Sequence, residues 1–157
     1  MGSDRRSGVA VVTLLTVVDR VVALHEVPLF AAVPGRTLAA LATCAEEVLV
    51  SRGDEVIVEG AVEDHLFVVV RGSLRATHDG RVLRELSPGA TVGELAALVP
   101  EPRSATVTAV EDGLLLRIDK QALDELLVDH PELVQGVIRT LVSMLRHDGA
   151  PRLEDGR

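Results

Sequence analysis

Residues 92–106 read VGELAALVPEPRSAT, and this stretch decides how the rest of the chain is interpreted. Gly93 precedes a short helix-prone run over residues 94–98, which ends at a proline-bounded loop at residues 100–102. Arg103 then opens a segment in which polar and apolar residues alternate. The free N–H groups and positive dipole end of a helix start attract an anion, and a guanidinium is a two-pronged donor to phosphate. The stretch therefore predicts a phosphate-binding site.

Glu94 extends this prediction beyond a bare phosphate. A carboxylate repels an isolated phosphate but accepts hydrogen bonds from hydroxyls, so it fits a ligand that also carries a sugar. In this combination the stretch resembles the phosphate-binding cassette of the cyclic nucleotide-binding domain family. Val92 departs from the pattern, because the family usually has an aromatic residue there. The resemblance rests on seven residues: Gly93, Glu94, Leu95, Ala96, Arg103, Ser104 and Ala105.

The resemblance assigns a role to each part of this cassette. It implies that Glu94 binds the ribose 2′-OH, that Arg103 binds the cyclic phosphate, and that backbone N–H groups of the cassette cap the phosphate oxygens. Ser104 occupies the position that helps to set ligand preference, and serine there resembles the bacterial catabolite activator proteins, which use cAMP. The expected ligand is therefore cAMP rather than cGMP, with no further cofactor and no metal.

Composition excludes several classes of protein. The net charge is −8, which makes direct nucleic-acid binding unfavourable because that binding depends on neutralising phosphates. Cys44 is the one cysteine of the chain, so no internal disulfide forms and a reducing, cytoplasmic location is expected. Because Cys44 lies in an apolar helical run, it is predicted to be a small core residue. The apolar stretch over residues 9–18 is too short to span a bilayer, so no membrane span is predicted.

Upstream of the cassette, the chain changes from helical to strand periodicity. Residues 9–26 are predicted to form a helix and residues 36–44 a second one. The apolar face of the first comprises Leu14, Val18, Val21, Val22 and Leu24. The predicted organisation is a flexible N-terminus (1–8), a helical segment (9–46), a strand-rich unit (47–118) that contains the cassette, closing helices (119–148) and a flexible tail (149–157).

The strand-rich unit consists of short β-prone runs separated by glycine turns. Asp79-Gly80 between two such runs predicts a tight hairpin. Residues 66–70 are continuously apolar, which predicts a central strand buried on both faces. Many short strands with regular turns indicate a sandwich or a barrel. The seven runs are residues 48–51, 55–58, 66–71, 73–77, 82–86, 104–110 and 114–118.

The pattern becomes helical again after residue 118. Asp119 is a predicted N-cap for a helix to residue 128, and Pro131 lies in the first turn of a last helix that ends at His147. Gly136 inside that helix is expected to mark a close packing contact. The apolar stripe of the last helix comprises Val134, Val137, Ile138, Leu141 and Leu145.

The predicted fold class is α+β and mainly β. The resemblance covers about residues 24–146 and implies a double-stranded, jelly-roll-like β-roll with N-terminal helices and two C-terminal helices. Ten residues follow His147, too few for a winged helix, so no DNA-binding domain is expected in this chain. A homodimer, or a fused or partner effector domain, is the expected partner, with the apolar helix over residues 9–24 as the candidate contact.

Function is predicted as a regulatory module that senses a cyclic nucleotide and is not an enzyme. We find neither a phosphate-binding Walker loop nor a serine nucleophile elbow, and the five histidines show no metal-binding spacing. Ligand binding is expected to change how the C-terminal helices pack on the barrel. The alternative is a domain that keeps the fold without the ligand and serves protein assembly. The candidate lid over the ligand comprises Ile138, Thr140, Leu141 and Met144.

Overall fold

The structure, a computed structural model, describes the backbone of residues 15–93, 99 and 101–155, and the side chains of these residues except 140, 144 and 147–155. The order of elements is helices, strands and then helices, as predicted. The first part contains α1 (Val17–His25), a 3₁₀ helix (Pro28–Phe30) and α2 (Gly35–Cys44).

A capping box begins α1. The Thr16 hydroxyl accepts a hydrogen bond from the Asp19 N–H at 3.1 Å, and the Asp19 carboxylate accepts one from the Thr16 N–H at 3.0 Å. This reciprocal pair satisfies N–H groups that have no partner within the helix. The described part of the helix predicted from residue 9 therefore begins at Val17, and residues 9–14 lie outside the described range.

The described residues of the central part form ten strands, which pair antiparallel throughout. All seven predicted strands are present, with ends within two residues of the predicted ones. The strands are β1 (Glu46–Val50), β2 (Glu55–Ile57), β3 (Val62–Glu63), β4 (His65–Arg71), β5 (Leu74–His78), β6 (Arg81–Leu86), β7 (Thr91–Val92), β8 (Glu101–Pro102), β9 (Thr106–Ala109) and β10 (Gly113–Asp119).

These strands form two facing sheets and a small ribbon. One sheet has the order β1-β10-β4-β7, the other has the order β2-β9-β5-β6, and β3 pairs with β8. The three two-residue strands β3, β7 and β8 were not predicted, because two residues are too few to show a period. The predicted mainly-β architecture, with helices at both ends, is confirmed.

The hairpin between β5 and β6 has the predicted turn. Asp79 and Gly80 have φ values of 52° and 77°, and they connect the paired residues His78 and Arg81. Positive φ at both central residues is the geometry that matches the right-handed twist of the flanking strands.

Strand β4 separates two hydrophobic cores. Leu66 and Val68 point to the helices, whereas Phe67 and Val69 point between the two sheets. The strand lies between β10 and β7, which confirms the prediction that residues 66–70 form a central strand buried on both faces. Full burial of each such side chain contributes about 1.5–3 kcal/mol. The two cores therefore fix the helices on one face of the first sheet and the second sheet on the other.

The C-terminal part contains α3 (Lys120–Asp129) and α4 (Pro131–Asp155). Asp119 occupies the predicted N-cap position, but its carboxylate accepts from Arg117 Nε at 3.2 Å and makes no capping hydrogen bond. Helix α4 continues to Asp155, beyond the predicted end at His147. Because propagating a formed helix costs less than nucleating one, a poor helix former such as Gly149 does not end it. No helix of the described residues has both the length and the apolar character that a bilayer span requires.

Two predictions about helix faces at the N-terminal end are wrong. Cys44 is exposed although the buried Thr37 lies only about 20° away around α2, because Cys44 is about two turns further along, at the last residue of the helix. On α1, Val18 and Val22 are exposed and Leu24 is buried, while Leu14 lies outside the described residues. Apolar side chains ran around most of α1, so their pattern alone did not identify the face that packs.

The predicted stripe of α4 is also partly wrong. Leu133 and Val137 are buried and Leu141 packs against the helical core, as parts of one face. Three predicted members of the stripe, Val134, Ile138 and Leu145, are exposed. The buried face of α4 is rotated relative to the predicted stripe, because α4 approaches the 3₁₀ helix through Gly136.

Gly136 makes the close packing contact that the sequence predicts. A Cβ atom added there would lie 2.6 Å from the carbonyl oxygen of Leu29. We expect Gly136→Ala to lower the free energy of unfolding by about 1–3 kcal/mol, although alanine is the better helix former, because the added methyl forces α4 off the 3₁₀ helix. Urea denaturation measures this change. Gln135→Ala, on the exposed side, is the control and should be near neutral; a stabilised Gly136→Ala would contradict the contact.

Candidate anion-binding site

The structure describes four of the seven predicted cassette residues. Gly93 follows β7, and Arg103, Ser104 and Ala105 connect β8 to β9. The other three, Glu94, Leu95 and Ala96, lie outside the described residues, so their predicted roles stay predictions.

Arg103 is buried, with 5% of its surface exposed. Its Nη2 donates to the carbonyl oxygen of His65 at 2.7 Å, and its Nη1 donates to that of Gly93 at 3.3 Å. The guanidinium thus bridges the start of the central strand β4 and the start of the cassette. A guanidinium has five N–H donors in a rigid fork, so fixation by two carbonyls is compatible with a two-pronged contact to an anion.

Gly93 is required by this arrangement for two reasons. Its φ is +87°, a conformation that side chains disfavour. A Cβ atom would also collide with Nη1 of Arg103 and would lie 3.0 Å from the carbonyl oxygen of His65. The glycine at the head of the cassette therefore makes room for the arginine that returns to it.

The backbone of Arg103 is held as firmly as its side chain. Its N–H donates to the Ala61 carbonyl at 2.8 Å, and its carbonyl accepts from the Gly60 N–H at 2.8 Å. Glu101 and Pro102 form β8 beside β3, so part of the predicted loop at residues 100–102 is a strand. This pairing fixes the position from which Arg103 projects.

Acidic side chains and a buried histidine surround Arg103. Glu63 Oε1 lies 3.8 Å from Arg103 Nε and 3.9 Å from His65 Nε2, and Glu63 faces Glu101 across the β3-β8 ribbon. Burial, and then the positive charge of Arg117, lowers the pKa of His65, which favours the neutral imidazole. The net charge of the protein is −8, so its overall electrostatic field repels an anion. Binding of an anion at this site therefore depends on local hydrogen-bond donors.

The segment after Arg103 confirms the predicted alternation. Val107 and Ala109 are buried, Ser104 is exposed and Ala105 is half-buried. The strand itself begins only at Thr106, whose hydroxyl accepts from the N–H of Glu59 at 3.0 Å. Ser104 therefore lies in the turn before the strand, and its predicted contact with the ligand stays a prediction.

The predicted lid lies on α4, which packs against the 3₁₀ helix and α3. Leu141 packs on the helical core and Ile138 is exposed. The side chains of Thr140 and Met144 lie outside the described set. In this arrangement Leu141 is a packing residue, and a lid function would require α4 to change its position.

Sequence reasoning missed the groups that hold Arg103. These are the carbonyl oxygens of His65, Gly93 and Ala61, together with the carboxylate of Glu63. A carbonyl acceptor carries no residue signature, because every residue has one. Glu63 is the one member of this set that contacts Arg103 through its side chain. It lies 40 residues before Arg103, and nothing in the sequence around Glu63 indicates that the two residues meet.

Comparison with known proteins matches the chain to a described domain family. The profile of a family described as "Cyclic nucleotide-binding domain" matches residues 47–130, which is more than half of the chain. A solved structure of the N-terminal domain of a transcriptional regulator from Streptomyces coelicolor is 30% identical, with a TM-score of 0.70, over 83% of this chain and 94% of that one.

Two curated relatives are longer than this chain. The Pycsar effector protein BcPycTIR of Burkholderia cepacia is 33% identical over 68% of this chain and 36% of its own length. The CRP-like cAMP-activated global transcriptional regulator of Mycobacterium tuberculosis is 30% identical over 78% of this chain and 57% of its own length. The chain thus spans between about a third and somewhat more than half of these relatives.

Proposed function

Since the chain belongs to the cyclic nucleotide-binding domain family, we propose that it binds a cyclic nucleotide at Arg103 and senses cAMP in preference to cGMP. The observation that supports this most directly is the buried Arg103 guanidinium, held by two carbonyls at the head of the cassette. A fixed charged donor in a water-poor site binds an anionic phosphate more strongly than a mobile surface arginine does, because less order has to be created on binding.

The proposal assigns the phosphate to Arg103 and the N–H groups of the cassette, and the ribose 2′-OH to Glu94. The phosphate and ribose contacts do not distinguish purines. Preference for cAMP is therefore assigned to Ser104, whose hydroxyl lies at the exposed end of the same segment. The cAMP-activated relative from M. tuberculosis supports this choice of base.

Transmission of the signal is assigned to α3 and α4. Helix α4 rests on the 3₁₀ helix through Gly136, and the proposal gives this contact a second position, because packed interfaces tend to switch between arrangements and not to deform continuously. Ligand binding shifts α4 only if the two positions of the helix differ in affinity for the ligand. In this proposal Ile138, Thr140, Leu141 and Met144 reach the base after α4 moves, and the output passes to a second copy or to an effector domain.

Isothermal titration of the whole chain tests binding. The panel is cAMP, cGMP and a pyrimidine 3′,5′-cyclic monophosphate, with 5′-AMP as the control that keeps the base but lacks the cyclic phosphate. We expect saturable binding of cAMP that is tighter than the binding of cGMP. Ser104→Ala should reduce the difference in affinity between these two nucleotides. Amide hydrogen exchange on the same complex should change in α4. The absence of binding with the whole panel would overturn the proposal and leave the ligand-free assembly module.

A further inference from the structure

A cluster of side chains of metal-binding type lies on the surface, beside the turn that hydrogen-bonds to the end of the 92–106 stretch. Glu59 is in the turn after β2, and His78 and Asp79 are at the tip of the β5-β6 hairpin. Nδ1 of His78 lies 3.1 Å from Oε2 of Glu59, and Nε2 of His78 lies 3.4 Å from Oδ2 of Asp79. One potential ligand atom from each residue lies within 4.8 Å of those from the other two, and all three residues are exposed.

We propose that Glu59, His78 and Asp79 bind a divalent transition-metal ion of the Zn²⁺ type. One imidazole nitrogen and two carboxylate oxygens are donors that zinc accepts, whereas Mg²⁺ and Ca²⁺ prefer oxygen alone. Two ligands at about 2.1 Å from a tetrahedral ion are about 3.4 Å apart, so the 3.1 Å between Nδ1 and Oε2 needs little adjustment. Water completes the coordination at this open site.

The backbone presents two of the ligands from well-anchored positions. The Glu59 N–H donates to the Thr106 hydroxyl at 3.0 Å, which fixes the turn on β9. His78 is the last residue of β5 and pairs with Arg81 across the tight hairpin. Zinc binding would therefore connect the hairpin to the turn after β2 without a change of fold.

His78 differs from the other described histidines in its surroundings. Of those with a carboxylate in reach, His65 and His130 each have one, Glu63 and Glu132 respectively. His78 has a carboxylate at each ring nitrogen. A single ion binds one of the two ring nitrogens, so the carboxylate at the other nitrogen has to rotate toward the ion to become a ligand. That adjustment is small, because the three ligand atoms already lie within 4.8 Å of one another.

Titration of the whole chain with Zn²⁺ in chelator-free buffer, without nucleotide, tests the site. We expect one ion to bind per chain, and Co²⁺ to give a visible absorption band that Zn²⁺ removes. His78→Ala should weaken Zn²⁺ binding roughly tenfold or more, and Asp79→Asn, which tolerates the left-handed backbone, should do the same. His130→Ala is the matched control, because His130 contacts a single carboxylate, and should leave Zn²⁺ binding unchanged.

Two results would overturn the proposal: no Zn²⁺ binding to the wild-type chain, or binding that survives in His78→Ala. Thermal unfolding of each variant shows whether a loss of binding is a loss of fold. The metal site does not depend on the nucleotide proposal. Arg103→Gln should bind Zn²⁺ as the wild type does, so failure of one proposal is distinguishable from failure of the other.

Discussion

Arg103→Ala is expected to weaken cAMP binding by about 2–5 kcal/mol, which is roughly 30- to 4,000-fold in Kd. In the proposed complex the guanidinium is the charged donor to the cyclic phosphate. Among the described residues, the ribbon beside Arg103 carries two acidic residues that face each other, Glu63 and Glu101, so loss of the guanidinium is not made up there. Titration calorimetry with the same protein preparation measures the loss.

Two further variants separate charge from geometry. Arg103→Lys keeps the positive charge but loses the planar fork, so its affinity should fall between those of wild type and Arg103→Ala. Arg84→Ala removes an exposed arginine of β6 and should bind cAMP as the wild type does. Arg103 also bridges β4 and the cassette, so its replacement can lower stability. Binding is therefore measured well below the melting temperature of each variant. Equal affinity of Arg103→Ala and wild type would show that the phosphate binds elsewhere.

Arg20→Ala is expected to lower the free energy of unfolding by about 3–5 kcal/mol. Nη2 of Arg20 lies 2.7 Å from Oε2 of Glu47, and the two side chains are only 14% and 3% exposed. Nη1 of Arg20 also donates to the carbonyls of Ala42 and Ala45 at the end of α2. Removing the guanidinium takes the opposite charge away from the buried Glu47 carboxylate, which keeps the hydrogen bond from the Leu15 N–H at 3.1 Å but loses its ion pair. For a domain of this size the melting temperature should fall by roughly 6–20 °C.

The chain offers a control with the same distance and different burial. Arg75 Nε lies 2.7 Å from Glu85 Oε2, but those side chains are 44% and 50% exposed. Arg75→Ala should therefore cost at most about 1 kcal/mol. Replacing both buried partners, as Arg20→Met with Glu47→Leu, should cost less than Arg20→Ala alone, since no buried charge is left. Equal losses for Arg20→Ala and Arg75→Ala would show that burial does not govern this ion pair.

Turns and strands were predictable because their signals are local. The Asp79-Gly80 hairpin requires positive φ at two adjacent residues, and the sequence has residues that accept it. The apolar run of residues 66–70 identified the central strand because both of its faces are covered. Gly136 was correctly expected at a close contact, since glycine inside a helix costs stability unless packing requires it.

Helix faces were less predictable because apolar residues outnumber the buried positions. Val18 on α1 and Ile138 on α4 fit an apolar stripe by spacing and are nevertheless exposed. Cys44 is a small apolar residue in an apolar run and is also exposed. The buried face of each helix is the one that contacts the nearest other helix or strand. The sequence of the helix alone does not identify that contacting element.

By itself, the sequence determined the family, the order of helices and strands and the principal turns, because each depends on residues close together in the chain. Tertiary structure alone decided that the Arg103 guanidinium is fixed by the carbonyls of His65 and Gly93, and that Arg20 reaches Glu47. Those contacts join segments 10 to 38 residues apart. Their partners are carbonyls or single side chains without a recognisable pattern, so only the packing of the sheets and helices brings them together.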